Sequence, residues 1–382
     1  MIGVTLAGGG ARGAYIAGVL RYIYTKLPEK IGFKPWPDLV SGVSVGAING
    51  YFIASHSDFE IQRMTALWTD EMRIDNIYRL PVGPISFFRN MFQMSKRASF
   101  LDATPLYTVV EKEASRRGLR YGIHPDRCKA FLVASTEMHS SKNIIFADIA
   151  HKGIQVPIPP SGDVIHTKIY PNHILSSGAI PLILPPIEIG GKYYFDGGLR
   201  QYAPISPLIH MGANKILILG TRSQEEEDPP IDPPKPNLST VGSYAINAMS
   251  LDFVERDLAI TSRMNDIIDW GVQNYGTEFA DKLRQDLHIR SLKPLHLRPS
   301  MNLGQLAQEV FDVAKIQADY NTRWLLSWLH ETKKTFYGDY SLSFLLFDPI
   351  YTKAAEQLGY EDTQKREEEL IQFFTQPSWM SS

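Results

Sequence analysis

The N-terminal part of the chain repeats one pattern of hydrophobic and polar positions. An apolar run at residues 2–7 is followed by glycines, and then by apolar residues three or four positions apart up to Leu27. A second run, at 38–43, is followed by the small and apolar residues 47–54. Short apolar runs that end at glycine are typical of buried strands, and helical spacing is typical of amphipathic helices. The repeated strand, turn and helix predict parallel strands joined by helical crossovers.

Further apolar runs continue this pattern beyond the first two units. They lie at residues 130–134, 192–195 and 215–220. Each is short enough to be a strand and is bounded by polar or turn-forming residues. We therefore predict an α/β domain over residues 1–222, with a three-layer arrangement in which helices flank a sheet of parallel type.

The composition changes after this domain. Residues 223–237 combine an acidic run with five prolines, which predicts an exposed linker or loop. Residues 238–382 are expected to form a mostly helical C-terminal region that packs on the first domain or caps it. Helical periodicity covers 239–272 and 304–335, with a short strand-like run near 295–298.

Composition and charge exclude several classes of function. The 382 residues carry a formal net charge of -2, which provides no basic field for nucleic acid. The single cysteine, Cys128, excludes an internal disulfide and a thiolate metal cluster. The N-terminus lacks the basic start of a signal peptide, and no apolar run approaches the roughly 18 residues of a transmembrane helix. We expect a cytoplasmic protein whose contact with membranes is peripheral.

A candidate nucleophile lies between the second predicted strand and the helix after it. Gly42, Ser44 and Gly46 form a G-x-S-x-G pattern. A nucleophile elbow places its serine in a strained turn, where a β-carbon on a flanking residue would clash. The helix that begins beneath such a serine also favours developing negative charge. The strand–turn–helix context therefore makes Ser44 the candidate nucleophile.

The glycine loop at residues 8–13, GGGARG, has two functional interpretations. Consecutive glycines can direct several backbone N–H groups toward one oxygen atom, as an oxyanion hole requires. The same loop spells G-x-G-x-x-G, the dinucleotide-binding fingerprint, which needs an acidic residue at the end of a second strand about 20 residues on. Glu29 follows Pro28 in a loop and Asp38 begins its strand. The nucleotide-binding alternative is therefore disfavoured.

A serine hydroxyl needs a base that takes its proton. Asp196 follows the strand-like run 192–195 and precedes two glycines. The histidines after it lie in segments with helix-like or strand-like patterns, whereas His173 lies in an apparent loop, PNH, and is a secondary candidate. The residues alone leave both a carboxylate and a histidine base open.

The order GGGARG, GVSVG and DGG resembles the patatin-like phospholipase family over roughly residues 2–200. The block SSGAIP at 176–181 is also similar to the segment that precedes this family's aspartate. The resemblance implies an α/β fold and a phospholipase A or lysophospholipase that needs no metal or cofactor. It implies a Ser–Asp dyad without histidine, in which Ser44 attacks the acyl carbonyl and Asp196 takes its proton. The supporting residues that it implies are Gly8, Gly9 and Gly10 as the oxyanion hole, with Arg12, Gly13, Gly42, Gly46, Gly197 and Gly198 around them.

One departure from the family and one further segment complete the sequence picture. Glycine stands at 198 where many family members carry alanine, a change that leaves the implied chemistry intact. Residues 87–100 mix aromatic and basic side chains, which is typical either of a membrane-surface segment or of a core helix or lid. A catalytically silent scaffold whose helical C-terminal region binds a partner is a further alternative.

Overall fold

A computed structural model describes residues 1–80, 98–114, 118–159, 162–201, 203–223, 253–287, 289–331 and 340–376. Most of residues 87–100, the segment interpreted either as a membrane-surface segment or as a core helix or lid, lies outside the described residues. So do all but the first residue of the linker predicted at 223–237 and the start of the C-terminal helical stretch predicted at 239–272. Within the described part of the chain, no helix is both long enough and apolar enough to cross a bilayer.

The described strands form one mixed, mostly parallel sheet. Its main order is β5-β4-β3-β2-β1-β8-β9, and β7 pairs with both β3 and β6. The pairs from β3 through β2, β1 and β8 to β9 are parallel, whereas β4 and β7 run antiparallel to β3. The strands are β1 (Ile2–Leu6), β2 (Leu39–Gly42), β3 (Ala130–Glu137), β4 (Asn143–Ile149), β5 (Gly162–His166), β6 (Ile187–Ile189), β7 (Lys192–Asp196), β8 (Lys215–Leu219) and β9 (Lys293–Leu297).

Helices follow the parallel strands, as the repeated strand–turn–helix pattern predicts. The helices are α1 (Gly13–Thr25), α2 (Leu27–Ile31), α3 (Val45–Ala54), α4 (Asp58–Ala66), α5 (Ile74–Ile77), α6 (Thr104–Ala114), α7 (Gly118–Gly122), α8 (Pro171–Ser177), α9 (Ile205–His210), α10 (Phe253–Tyr275), α11 (Thr277–Asp286), α12 (Leu303–Val310), α13 (Tyr320–Glu331), α14 (Tyr340–Leu345), α15 (Pro349–Lys365) and α16 (Glu367–Thr375). The helical stretch predicted at 304–335 is interrupted, since α12 and α13 are separated by residues 311–319.

The sheet is covered on both faces, which confirms the predicted three-layer α/β fold. Side chains of successive strand residues point to opposite faces. Val40 and Leu217 accordingly enter the core that contains α1, α3 and α15. Their neighbours Leu39 and Ile216 enter a second core, which contains α9 and the start of α10. The candidate catalytic residues predicted from the sequence lie at the ends of strands of this buried sheet: Ser44 follows β2, and Asp196 is the last residue of β7.

The C-terminal region contributes to both the sheet and one helical layer. Strand β9 pairs with β8 along its whole length, and α15 crosses α1 at close range. A β-carbon at Gly18 would lie 1.8 Å from the Glu356 carbonyl oxygen, and one at Gly359 would lie 2.0 Å from the Tyr15 carbonyl oxygen. Both glycines are therefore required for this approach of the two backbones. The domain division near residue 222 stays a prediction.

Candidate active site

The strand register brings Ser44 and Asp196 to one level of the sheet. Gly42, the last residue of β2, pairs with Val133 of β3. Two residues further along β3, Ser135 pairs with Asp196 at the end of β7. Ser44 also lies two residues beyond Gly42. The antiparallel strand β7 therefore occupies the place beside β3 that β2 leaves when the chain turns into α3, and it presents Asp196 next to the serine.

Ser44 occupies a strained turn between β2 and α3. Its φ of 55° and ψ of -128° are unusual for a residue with a side chain. A β-carbon at Gly46 would lie 2.3 Å from the Leu6 carbonyl oxygen, and one at Gly42 would lie 2.4 Å from the Gly46 carbonyl oxygen. These contacts leave no space for larger residues on either side. The geometry is that of a nucleophile elbow, a feature that concentrates at functional sites.

Ser177 fixes the backbone of the candidate nucleophile. The Ser44 N–H group donates to the Ser177 hydroxyl oxygen at 2.9 Å, and that hydroxyl donates to the Ala134 carbonyl at 2.6 Å. The chain of bonds connects the elbow to α8 and β3. Ser177 belongs to the SSGAIP block of the family resemblance, which gave it no specific role.

Asp196 is the group that contacts the Ser44 hydroxyl. The residue is 5% exposed, and its carboxylate is hydrogen-bonded to Ser44 and to the Gly198 N–H, the latter at 2.7 Å. Burial raises the pKa of Asp196 from 3.8 to about 7, against the opposing effect of the two hydrogen bonds. A carboxyl group with a pKa near neutrality can accept a proton from a serine and return it later.

The glycines after Asp196 hold the carboxylate in place. Gly197 lies against β3, since a β-carbon there would be 2.3 Å from the Ala134 carbonyl oxygen. Gly198 supplies the N–H group that binds the carboxylate. In the sequence DGG, the first glycine therefore lets the backbone approach β3 closely, and the second directs its N–H group at the Asp196 carboxylate.

The glycine loop lies directly beside the nucleophile. A β-carbon at Gly8 would be 3.3 Å from Ser44 Cβ. The Gly8 carbonyl accepts a hydrogen bond from Thr221 Oγ1 at 2.8 Å, and the Gly9 carbonyl accepts one from the Arg12 N–H at 3.3 Å. In a trans peptide the N–H group points opposite to the carbonyl of the preceding residue. The N–H groups of Gly9 and Gly10 therefore point away from Thr221 Oγ1 and from the Arg12 N–H, respectively. Gly10 lines the same pocket as Ser44.

Arg12 connects this loop to the C-terminal region. The side chain is buried, and its Nε donates to the Ser343 hydroxyl at 2.9 Å. Gly10 has a φ of 59°, and a β-carbon there would be 2.3 Å from the Phe344 carbonyl oxygen. Gly13, at the start of α1, packs against Trp68. No local sequence pattern identified 343 and 344 as neighbours of the site, because more than 300 residues separate them from the loop.

An apolar pocket opens at Ser44. It has an empty volume of about 640 Å³, including solvent at its mouth. Nearly all of its wall is aliphatic or aromatic. The wall is made by Gly10, Ser44, Val45, Ile48, Met72, Ile77, Tyr78, Leu101, Leu106, Val110, Ile174, Leu175, Gly178, Ile180, Ile183, Leu184, Phe344, Leu345 and Phe347.

His173 lies in α8, so the prediction of a loop at this position is wrong. Pro171 is compatible with the first turn of a helix, where its missing N–H group has no partner in any case. The His173 Nδ1 atom accepts the Tyr170 N–H at 2.9 Å, and its ring packs against Phe146. Burial lowers the pKa of His173 to about 4. The ring nitrogen that could act as a base is thus used to cap its own helix.

Comparisons with known proteins identify the family of the chain. A family model described as Patatin-like phospholipase matches residues 4–209, which span both motifs and the candidate base. The crystal structure of VipD from Legionella pneumophila is similar over 96% of this chain, with 12% sequence identity and a TM-score of 0.36, a likeness too weak to support a functional argument. The chain spans 66% of the length of that protein. No curated protein matches the sequence.

Proposed function

The chain belongs to the patatin-like phospholipase family, and from this membership we propose that it hydrolyses acyl esters of lipids through Ser44 and Asp196, as a phospholipase A or lysophospholipase. The observation that carries the proposal is the hydrogen bond between a buried carboxylate and the hydroxyl of Ser44, which lines an apolar pocket. Family membership supports a lipid acyl hydrolase in general. The dyad and the substrate are the proposed part.

In the acylation step, the Ser44 oxygen attacks the ester carbonyl while its proton passes to the Asp196 carboxylate. The carbonyl oxygen becomes an oxyanion, for which the N–H groups of Gly9 and Gly10, together with that of Gly8, are the proposed donors. When the intermediate collapses, the bond to the leaving alcohol breaks and Asp196 returns the proton to that alcohol. The products are an acyl ester on Ser44 and a lysolipid or glycerol derivative.

In the deacylation step, water takes the place of the alcohol. Asp196 accepts a proton from the water molecule as its oxygen attacks the acyl carbon, and the oxyanion forms again in the same place. Collapse releases the fatty acid and returns the proton to Ser44. A single carboxylate can serve both steps because burial raises its pKa to about 7, which makes it a stronger base than an ordinary aspartate and still able to return the proton.

The pocket wall supports a hydrocarbon chain as the bound part of the substrate. Burial of apolar surface contributes roughly 25 cal/mol per Å², and the wall around Ser44 offers almost only apolar atoms. The head group would then remain outside the pocket. Two exposed side chains at its rim, Phe100 (53%) and Leu182 (68%), adjoin the wall residues Leu101 and Ile183. We propose that they contact the membrane surface from which lipid is taken.

The two alternative functions have less support. In the nucleotide-binding alternative, a carboxylate at the end of β2 would hold the ribose, yet β2 ends at Gly42 and is followed by Val43 and Ser44. The silent-scaffold alternative does not account for the strained φ of Ser44 or for the raised pKa of Asp196. Both features cost stability and are expected where chemistry occurs.

Release of free fatty acid tests the proposal. Phosphatidylcholine vesicles and lysophosphatidylcholine would be incubated with the wild type, Ser44→Ala and Asp196→Asn, with a chelator present throughout. We expect turnover by the wild type and a loss of about a thousandfold or more in each variant, as for other nucleophile–base pairs. Near-normal turnover by Asp196→Asn would refute the dyad. Ser41→Ala, a buried serine that hydrogen-bonds to Thr5 and Pro204, is the matched control.

A further inference from the structure

Two apolar cavities meet behind Ser44. The pocket described above shares Ile48, Met72, Val110 and Ile174 with a second cavity, which has an empty volume of about 290 Å³, including open solvent. These four side chains, here called the junction residues, form a wall of both spaces. Three of them are buried and Ile48 is half-buried. The second cavity is here called the distal chamber.

Helix α3 gives the direction from one space to the other. Val45 and Ile48 line the pocket at Ser44, and Ile48, Tyr51 and Phe52 line the distal chamber. These residues recur along one side of α3 at steps of three or four positions. At 1.5 Å per residue, Val45 and Phe52 are about 10 Å apart along the helix axis. The distal chamber therefore lies about two helical turns beyond the nucleophile.

Helix α6 follows the same course. Leu106 and Val110 line the pocket, and Val109, Val110 and Glu113 line the distal chamber. Two separate helices thus pass from the first space to the second in the same order. An alkyl chain attached at Ser44 would run along both of them and would cross the junction residues.

Glu113 is the one charged residue among those that line the distal chamber, and it is neutralised there. Arg63 donates to it twice, from Nε at 2.9 Å and from Nη2 at 2.7 Å. Both side chains are largely buried. Because the Glu113 carboxylate already has a cationic partner, it does not require a polar ligand, and the remaining wall of the chamber is suited to a hydrocarbon end.

We propose that the distal chamber binds the end of a long fatty acyl chain, and that the junction residues set the chain length that the protein accepts. The proposal rests on the proposed function, since the chain is that of the acyl group on Ser44. Short acyl groups occupy only the first pocket. Long ones gain additional apolar contact beyond Met72 and Val110.

Substitutions at the junction test this directly. Val110→Phe adds side-chain volume where the two spaces meet, and Met72→Ala removes side-chain volume there. Met64→Ala is the control for the latter, since Met64 is fully buried and lines neither cavity. The measured quantity is the ratio of kcat/KM for p-nitrophenyl palmitate to that for p-nitrophenyl butyrate. Because each buried methylene is worth a factor of about four, exclusion of only two of them by Val110→Phe should lower the ratio by about tenfold or more.

Because Val110 and Met72 also line the pocket at Ser44, the butyrate reaction and fluorophosphonate labelling of Ser44 are measured in every variant, so that the ratio isolates the effect on the long chain. Met72→Ala should change the ratio, whereas Met64→Ala should not. An unchanged ratio in Val110→Phe, or equal changes in the two methionine variants, would overturn the proposal while leaving the hydrolase function in place.

A binding measurement separates this proposal from the proposed function. In the Ser44→Ala background, fatty acids of increasing length compete with a fluorescent fatty acid for the pocket. Affinity should increase with chain length, and Val110→Phe should remove the increase. This outcome with no ester hydrolysis by the wild type would refute the hydrolase and retain the chamber. Affinity independent of length would refute the chamber.

Discussion

Asp196→Asn should make the protein more stable at alkaline pH. The asparagine has the same shape as the aspartate and can still accept the Gly198 N–H, but it cannot ionise. Burial raises the pKa of Asp196 from 3.8 to about 7. At about 1.4 kcal/mol per pKa unit, the folded protein is then destabilised by about 4 kcal/mol once this carboxyl is ionised. The substitution removes that cost.

The sign of this stability difference and the pH range in which it develops follow from proton binding to Asp196. Between about pH 4 and pH 7 the folded state holds a proton on Asp196 that the unfolded state has lost, so wild-type stability falls as pH rises. The variant lacks this contribution. Denaturant unfolding of both proteins at about pH 5 and about pH 8 gives the change in their stability difference, in which other ionisable groups cancel. The variant should gain about 2–3 kcal/mol on the wild type between the two conditions, because about two of the roughly three pKa units lie between pH 5 and pH 7. A pH-independent difference would refute the assigned burial effect.

Three further predictions concern the same site. For a soluble ester, kcat/KM should increase with pH and level off above about 7, because Asp196 acts as a base only when ionised; a flat profile would contradict its role. Gly10→Ala should lower kcat by about tenfold or more, because a β-carbon would clash with the Phe344 carbonyl oxygen and displace the loop; an unchanged kcat would argue against that loop as the oxyanion hole. Ser343→Ala should cost about 1–3 kcal/mol in unfolding free energy and reduce kcat, because it removes a hydrogen bond from the buried Arg12; normal stability and turnover together would show that this link is unimportant.

The sequence was most informative where local pattern and local structure coincide. The apolar runs predicted β1 and β2, and the strand–turn–helix order predicted their parallel pairing. The flanking glycines located the elbow at Ser44 because a residue with a β-carbon cannot occupy positions 42 and 46. Such constraints act within a few residues and are therefore legible in one sequence.

Features that depend on distant contacts were less accessible. The strand-like run near 295 was visible, but its place beside β8 was not. The contact of Phe344 with Gly10 and the junction of the two cavities join segments that lie up to 334 positions apart in the sequence (344 − 10), and no periodicity in the sequence indicates these contacts. His173 was misplaced for a different reason, since Pro171 and Asn172 favour a turn and also suit the first turn of a helix.

Labelling of the serine by a fluorophosphonate tests the central claim most directly, because it measures the nucleophile without a lipid surface. The rate of labelling would be followed by mass spectrometry of the peptide that contains Ser44, as a function of pH, in the wild type and in Asp196→Asn. We expect modification at Ser44, at a rate that increases through about pH 7 in the wild type and is slow and pH-independent in the variant. Modification of another residue, or the same rate and pH dependence in both proteins, would contradict a nucleophile activated by Asp196.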